Sequence, residues 1–396
     1  MLILLLSLAV GQERADRPGR WYPTDPVVQQ LQALGYVGGT EAPSVQGTHT
    51  YGTPVAGYVL YSSGHRAEAR LIDRTGQVRH RWHLPFEQAF PGAEERRHVG
   101  AGSWRAVAPL PDGGLLAVHE GLGSVSIDQH SGLRWAHLDG AHHDIVPLDD
   151  GTAWFLTRRV SRRADGPVLE DHLTHRAADG SLLAHHSILA ALETSPWRGW
   201  IDPDVEGVRG DWLHTNSLHR LAAPSYHAAF QPGRFLLSMR HLDALMVFDP
   251  ASESLVWASK GVWSRQHDAQ QGPSGRLWVF DNRGAGDDRS RVLALDPSAP
   301  TRVVRSWGAE EGLHSTILGA VQELPGGHLL ITESMAGRCL EVDGAGQVVW
   351  EHVNPERVVE GSETLQAVIF ACRWIPETSP VLRSLDLYAP DSTKPL

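Results

Sequence analysis

Residues 325–350 read PGGHLLITESMAGRCLEVDGAGQVVW, and this stretch contains the pattern that decides the fold. A Pro-Gly-Gly turn precedes an apolar strand and a second apolar strand, and an Asp-Gly turn then leads to a strand that ends in Trp350. Gly-Gly and Asp-Gly supply the positive φ angles that tight hairpin turns require. We therefore predict three short strands joined by hairpins in this stretch.

The same pattern recurs along the chain, and its copies are read as follows: Asp73 to Trp82, Pro111 to Trp135, Asp149 to Gly180, Arg234 to Trp257, Pro273 to Trp307 and Pro325 to Trp350. Six copies fit four-stranded blades around a central channel. A further apolar stretch, 367–375, is expected to join the first or last blade and close the ring, which removes exposed sheet edges. The sequence thus predicts an all-β fold, a six-bladed β-propeller with a functional site in its central funnel.

The composition supports this prediction and narrows the possible functions. Forty Gly and 25 Pro among 396 residues, with 20% charged residues, are typical of short strands and tight turns. The net charge of −11 argues against a nucleic-acid partner, since such proteins usually present a basic face to phosphates. The chain also contains 22 histidines, whose imidazole can act as base, nucleophile or metal ligand near neutral pH. We therefore expect the chemistry to depend on histidine.

The chain divides into four predicted segments. Residues 1–11 form a short apolar run that resembles a secretory signal, although no basic residue precedes it, and a buried N-terminal strand is the alternative. Residues 12–50 are predicted to be a polar lead-in, 51–376 the propeller and 377–396 a C-terminal tail. The apolar run therefore predicts a periplasmic or secreted protein. No other segment could cross a membrane. The two cysteines, Cys339 and Cys372, leave one disulfide possible.

Polar clusters occur where the innermost strands of the blades are predicted to begin. They are DWLHTNS at 211–217, SMRHLD at 238–243 and SRQHDAQ at 264–270, and histidines also precede the third and sixth blades at 142–143 and 314. A strand that only filled a core would be apolar at these positions. Because innermost strands line the channel of a propeller, these side chains are expected to converge there.

The resemblance to a known family becomes specific at this point. The strings at 211–217, 238–241, 255–257, 266–268 and 277–282, with 347–351 and 370–373, are similar in order and kind to the arylsulfotransferase family. The resemblance covers roughly residues 50–376. It implies transfer of a sulfuryl group from an aryl sulfate donor to a phenolic acceptor through a sulfohistidine, without a nucleotide donor. The absence of a phosphate-binding glycine motif agrees with this.

The resemblance also implies roles for individual residues. His267 would be the nucleophile, and His214 and His241 would hold sulfate oxygens or exchange protons with the phenol oxygens. The residues expected to bind the substrate are Lys260, Arg240, Asn216 and Thr332. No metal or other cofactor is expected. Asp243 departs from the family, since a carboxylate replaces an amide there, and Lys260 offers a point charge rather than the fork of an arginine.

Other interpretations remain open at this point. A metal-dependent propeller hydrolase of the lactonase kind would need carboxylates around a calcium ion, although a histidine-bound transition metal is also conceivable. A quinone-dependent dehydrogenase is another alternative, but its propeller usually has eight blades, and the six repeats count against it. A non-catalytic secreted binding propeller would fit the two departures. Outside the candidate site, Asp281 and Asn282 are interpreted as turn residues, and His185, His186 and His227 as surface or loop residues.

Overall fold

The computed structural model describes residues 40–41, 46–93, 101–164, 166–201, 210–222, 227–286, 289–296, 298–360 and 363–387. The predicted signal segment 1–11 and most of the lead-in lie outside these residues. In the described part, strands dominate, and three short helices occur: α1 Phe86–Ala89, α2 Ile188–Glu193 and α3 Pro380–Ser384. None of the described helices is long and apolar enough to cross a membrane.

The strands form six antiparallel blades, which confirms the predicted propeller. Blade one contains β3 Tyr58–Ser63, β4 Glu68–Ile72 and β5 Val78–His83. Blade two contains β6 Ala106–Pro109, β7 Leu115–His119, β8 Gly123–Ile127 and β9 Leu133–His137. Blade three contains β10 Ala141–Pro147, β11 Ala153–Arg163, β12 Gly166–Arg176 and β13 Leu182–Ser187.

The other three blades follow in chain order. Blade four contains β14 Thr215–Arg220, β15 Phe235–Met239, β16 Ala244–Asp249 and β17 Ser254–Lys260. Blade five contains β18 His267–Gln271, β19 Leu277–Asp281, β20 Arg291–Asp296 and β21 Ala299–Trp307. Blade six contains β22 Ala320–Glu323, β23 Leu329–Glu333, β24 Arg338–Val342 and β25 Val348–Val353. Outside β25, β2 Gly47–Thr50 adds a fifth strand. A separate small sheet contains β1 Thr40–Glu41, β26 Arg357–Glu360 and β27 Glu363–Gln366.

The ring is closed by β28, Ile369–Ile375, which becomes the innermost strand of blade one. It pairs antiparallel with β3, with Ile375 opposite Tyr58, as the apolar stretch predicted. A disulfide between Cys339 on β24 and Cys372 on β28 joins blade six to this closing strand. Both cysteines are buried. The last strand is therefore held to its neighbour by a covalent bond as well as by its own sheet.

Tryptophans at the ends of the repeats connect neighbouring blades, as their positions predict. The indole Nε1 of Trp82 in blade one donates to the carbonyl of Gly113 in blade two at 2.9 Å. Trp350 in blade six donates to Arg74 O in blade one at 2.8 Å. Each indole packs its rings in the core and satisfies its one polar group on the next blade.

Four of the innermost strands carry β-bulges near their first residues. The pairing register shifts after Ala141 in β10, after Thr215 in β14, after His267 in β18 and after Ile369 in β28. Positive φ angles accompany three of these places, at His143 (57°), His214 (49°) and Asp268 (48°). Bulges re-aim side chains and are frequent next to functional sites. Here they turn polar side chains toward one end of the channel.

Candidate functional site

A cavity lies where the innermost strands begin. All six blades contribute to its wall, and one residue from each is Phe370, Arg105, His143, Asn216, His267 and Ala320. The side formed by blades six and one carries the apolar residues Gly319, Ala320 and Phe370, together with Ser62 and the Asp268-paired Arg373. The opposite side carries imidazole, amide and guanidinium groups. The cavity is therefore suited to a ligand with an apolar part and an anionic part.

His267 begins β18 and is buried, with 3% of its surface exposed. Its Nδ1 lies 2.7 Å from Asn282 Oδ1 and 3.1 Å from the carbonyl oxygen of Arg265. The Nδ2 of Asn282 donates to the carbonyls of Ser315 and Leu318, so the Oδ1 must be the atom that faces the imidazole. Both partners of Nδ1 are acceptors, and we therefore assign the proton to Nδ1 and a free electron pair to Nε2.

The electrostatic surroundings keep this imidazole neutral. Burial holds the pKa of His267 well below its usual value, and the charges of Arg240 and Arg105 act in the same direction. A neutral imidazole with a fixed Nδ1 proton has the electronic state that a nitrogen nucleophile needs. The hydrogen bond to Asn282 additionally fixes the orientation of the ring.

A second group is built around Asp211, which lies just before β14. Its Oδ2 is 2.5 Å from His214 Nδ1, and its carbonyl oxygen is 2.5 Å from His241 Nδ1. The His214 and His241 rings lie 4.6 Å apart between centroids. Arg240 Nη1 lies 2.9 Å from His241 Nε2. One carboxylate residue thus orients two imidazoles through their Nδ1 atoms.

The pKa values in this group favour neutral imidazole beside ionised carboxylate. Burial lowers the pKa of His214 to about 3, although Asp211 opposes the shift. Burial would raise the pKa of Asp211, but the adjacent His214 and His241 hold it below its usual range. A carboxylate that orients an imidazole in this way can support proton transfer at the other ring nitrogen.

His143 connects this group to blade three. Its ring centroid lies 5.0 Å from that of His214, and its backbone N–H donates to Glu120 Oε2 at 2.9 Å. Arg158 Nη2 lies 2.8 Å from His142 Nδ1 and 3.2 Å from His143 Nδ1. Burial holds the pKa of His143 well below its usual value. His143 and His267 therefore line the cavity with neutral imidazoles, and the neutral imidazole of His214 packs against His143 beside it.

An ion pair lies between this cavity and a rear cavity of about 840 Å³ in the same channel. Arg373 Nη2 is 2.8 Å from Asp268 Oδ1, and Arg373 Nη1 is 3.2 Å from Asp268 Oδ2. Asp144 lines both cavities and accepts a hydrogen bond from the backbone of Leu218 at 2.8 Å. Burial raises the pKa of Asp144 to about 6. Arg373 thus pairs the Asp268 carboxylate, and the Asp144 carboxyl titrates closer to neutrality than a free carboxyl does.

Five of the seven predicted site residues lie together. His267, His214 and His241 form the two groups described above, and Arg240 contacts His241. Asn216 lines the cavity, where its Nδ2 donates to Gln266 O at 2.8 Å and its Oδ1 has no partner among the described residues.

Lys260 and Thr332 do not join this cluster, and their predicted contacts with substrate need correction. Lys260 is exposed on β17, the outermost strand of blade four, with its Nζ 5.0 Å from the centroid of a Trp200 ring. Thr332 is fully buried on β23, and its Oγ1 accepts a hydrogen bond from Cys372 N at 2.9 Å. Lys260 faces away from the channel because the outermost strand of a blade is farthest from it. Thr332 holds the closing strand β28.

Two further interpretations change with the geometry. Asn282 is no turn residue but the buried partner of His267. The Asp243 carboxylate accepts a hydrogen bond from Arg265 N at 2.6 Å, so it serves the backbone of the loop between blades four and five. It is not among the residues that line the cavity. Arg105 and Arg373 were not singled out from the sequence, because only the closed ring brings them to the cavity.

Two groups of described residues have the atoms to hold a metal ion. Glu120, His142 and His143 form one, and Asp211, His214 and His241 the other, with ligand atoms within 4.8 Å of one another. In the first group a cation is already present, because Arg158 contacts both imidazoles. In the second, both Nδ1 atoms are engaged by Asp211. Arg158 and Asp211 thus already engage atoms of both groups, while Glu120 Oε1 and His142 Nε2 have no hydrogen-bond partner among the described residues.

Comparisons with known proteins agree with the fold and point to one family. The family model described as Arylsulfotransferase (ASST) matches residues 124–355, which is more than half of the chain. A crystal structure of a protein of unknown function from Bacteroides caccae is similar at 14% identity and a TM-score of 0.50, covering 80% of this chain and 99% of that one.

Two other solved structures are similar at lower TM-scores. A streptogramin B lyase aligns at 9% identity and a TM-score of 0.47, covering 84% of this chain and 96% of that one. An inactive virginiamycin B lyase from Staphylococcus aureus with quinupristin aligns at 9% identity and 0.44, covering 82% and 99%. At such identities the likeness concerns the fold alone. No curated protein sequence matches the chain.

Proposed function

Because the chain belongs to the arylsulfotransferase family, we propose that it transfers a sulfuryl group from a phenolic sulfate ester to a phenolic acceptor through a sulfohistidine. The observation that carries the proposal is the state of His267, whose Nδ1 is held by two acceptors and whose ring lines the cavity. This leaves Nε2 with a free electron pair in a buried site. The reaction needs no nucleotide donor.

In the first half of the proposed reaction, His267 Nε2 attacks the sulfur of the donor ester. The S–O bond to the aryl group breaks, and its electron pair leaves with the phenolate. The imidazole that carries the sulfuryl group becomes positively charged while Nδ1 keeps its proton, and the Asn282 Oδ1 at 2.7 Å stabilises that charge. Splitting the transfer into two displacements lowers each barrier.

In the second half, the acceptor phenol binds in place of the departed phenol. Its hydroxyl proton passes to the Nε2 of His214, whose Nδ1 is oriented by Asp211 at 2.5 Å. The phenolate oxygen attacks sulfur, the bond to His267 breaks, and the nitrogen recovers its electron pair. His214 then returns its proton to solvent. The proton thus moves through one imidazole and the sulfuryl group through another.

The shape of the cavity supports an aryl sulfate as the ligand. A phenyl ring would lie against Phe370, Gly319 and Ala320, and its sulfate would lie among the imidazoles of blades three to five. Aromatic rings gain most from apolar and aromatic contact, while the sulfate needs hydrogen-bond donors. Arg240, whose charge acts on His267, adds positive charge beside the sulfate.

We also propose that the protein acts in the periplasm or outside the cell. The buried Cys339–Cys372 disulfide supports this, because disulfides persist in oxidising compartments and are rare in the cytosol. Residues 1–11 are the proposed export signal. Cell fractionation of the full chain, compared with a chain that lacks 1–11, tests the proposal. Loss of the envelope pool on deletion is expected, and an unchanged cytosolic distribution of both would contradict it.

The function is tested by incubating the protein with 4-nitrophenyl sulfate, with and without a phenol acceptor, and measuring intact mass. We expect nitrophenol release that increases with acceptor, and a sulfuryl adduct on the protein in the absence of acceptor. The adduct should be lost in His267→Ala and kept in His185→Ala, which alters a histidine on the outer strand β13. Catalysis without an adduct would contradict the covalent intermediate.

The same experiment separates the alternatives. A metal-dependent hydrolase would show activity that is lost with chelators and restored by a metal, since two histidine groups have suitable spacing. A binding propeller would retain aryl sulfates without releasing phenol. Either result, in a folded protein with no adduct on His267, would replace the proposed reaction.

A further inference from the structure

Arg105 is a buried arginine for which the structure shows no ion pair in the part of the chain that it describes. It lies just before β6, and its backbone N–H donates to Val118 O at 2.8 Å, which fixes its position at the entrance of blade two. Only 6% of its surface is exposed, and its Nε contacts no hydrogen-bond acceptor among the described residues. A buried guanidinium without an anion is energetically costly.

The other arginines near the cavity are already engaged. Arg373 lines the cavity but is paired with both carboxylate oxygens of Asp268. Arg240 contacts the imidazole of His241. By contrast, the guanidinium carbon of Arg105 lies 5.4 Å from the centroid of the Phe370 ring, with no described carboxylate paired to it. Its positive charge is therefore available to a ligand.

The position of Arg105 in the ring determines which part of a ligand it would meet. Blades two and five are three places apart in a ring of six, so Arg105 and His267 enter the cavity from opposite sides. A group bound at His267 Nε2 would extend toward Arg105 across the channel. The guanidinium packs against Phe370, and its charge also lowers the pKa of His143 and His267, so it lies between the apolar side and the imidazoles.

We propose that Arg105 binds the oxygens of the sulfuryl group during transfer, the role that the sequence suggested for Lys260. This inference rests on the proposed function. The planar fork of a guanidinium can donate to two oxygens of one sulfuryl group, which the single ammonium of a lysine cannot match. Since negative charge shifts among these oxygens as the sulfur is transferred, such a contact lowers the barrier.

The test compares Arg105→Met with Lys260→Met, each assayed for kcat/KM on 4-nitrophenyl sulfate and for binding of inorganic sulfate by calorimetry. Arg105→Met should lose about 10² to 10³ in kcat/KM and at least about tenfold in sulfate affinity. Lys260→Met should match the unmodified protein in both. Arg105→Gly should regain part of its activity when guanidinium ion is added at low concentration, an effect that a purely structural role would not give.

The outcomes separate this inference from the proposed function. An active protein in which Arg105→Met keeps both kcat/KM and sulfate affinity would overturn the role of Arg105 and leave the sulfotransferase proposal intact. A protein that binds sulfate through Arg105 but never turns over an aryl sulfate would support the anion site and contradict the reaction. If Arg105→Met fails to fold, Arg105→Lys takes its place and should retain sulfate binding at reduced affinity. Wild-type catalysis by Arg105→Gly in the absence of guanidinium would refute the inference.

Discussion

Removal of the Cys339–Cys372 disulfide should lower the free energy of unfolding by roughly 4 kcal/mol. The two cysteines are 33 residues apart. In the chain-entropy model, a closed loop of this length removes about 12 cal/mol/K from the unfolded state, and multiplication by 298 K gives the stated value. The disulfide should stabilise the fold by more than the loop length alone predicts, because it joins blade six to the strand that closes the ring.

Thermal unfolding of Cys339→Ala/Cys372→Ala measures this effect. With an unfolding entropy of about 2 cal/mol/K per residue, the loss corresponds to a fall in Tm of about 5 °C for a propeller of this length. Both sulfurs are buried, so the unmodified protein should be reduced slowly, through opening of β28. After complete reduction its Tm should approach that of the double variant.

The double variant provides its own control, since reductant has no disulfide to act on there. An unchanged Tm in the variant would refute the reasoning. So would an equal loss of Tm with reductant in both proteins. Activity should fall together with stability, because Phe370 and Arg373 flank Cys372 and line the cavity.

Three further predictions follow from single contacts. Asn282→Leu removes the acceptor 2.7 Å from His267 Nδ1 and should lower kcat by about 10² to 10³ with little change in KM. An unchanged kcat would show that the imidazole of His267 needs no such partner. Thr332→Val leaves the buried Cys372 N–H unpaired and should cost about 1 to 3 kcal/mol in urea unfolding while the folded enzyme keeps its kcat. Burial lowers the pKa of His119 to about 4, so the unfolded state binds a proton at this histidine first as pH falls below about 6.5. At pH 5 this difference should lower the free energy of unfolding by about 2 kcal/mol. His119→Phe should remove this contribution from the dependence of stability on pH.

The fold was predictable because its signals are local. Hairpin turns, apolar strands and terminal tryptophans recur in each copy, and the stretch at 367–375 had no partner within its own repeat. The polar residues of the site were predictable for the same reason, since His267 and Asn216 occur at the starts of innermost strands. The period of the repeat thus gives both the number of blades and the end of the channel that carries polar groups.

The remaining site residues depend on contacts that the repeat alone does not reveal. Asn282 follows β19, which pairs with β18 so that Phe280 lies opposite His267, and this hairpin brings the amide to the imidazole. Arg105 meets His267 only across the closed ring. Lys260 was wrongly placed in the channel although the repeat contained the evidence: Trp257 lies in an outermost strand, and Lys260 is the last residue of that strand.

The use of β28 as the innermost strand of blade one also sets the time at which the cavity can exist during synthesis. Phe370 and Arg373 are translated after every other residue of the cavity wall. A chain that has emerged only as far as blade six lacks Phe370 on the apolar side of the cavity and Arg373, the partner of Asp268. Blades can form one by one as the ribosome advances. A ligand that needs the whole cavity wall can therefore bind only after the final strand is inserted, when the ring is complete.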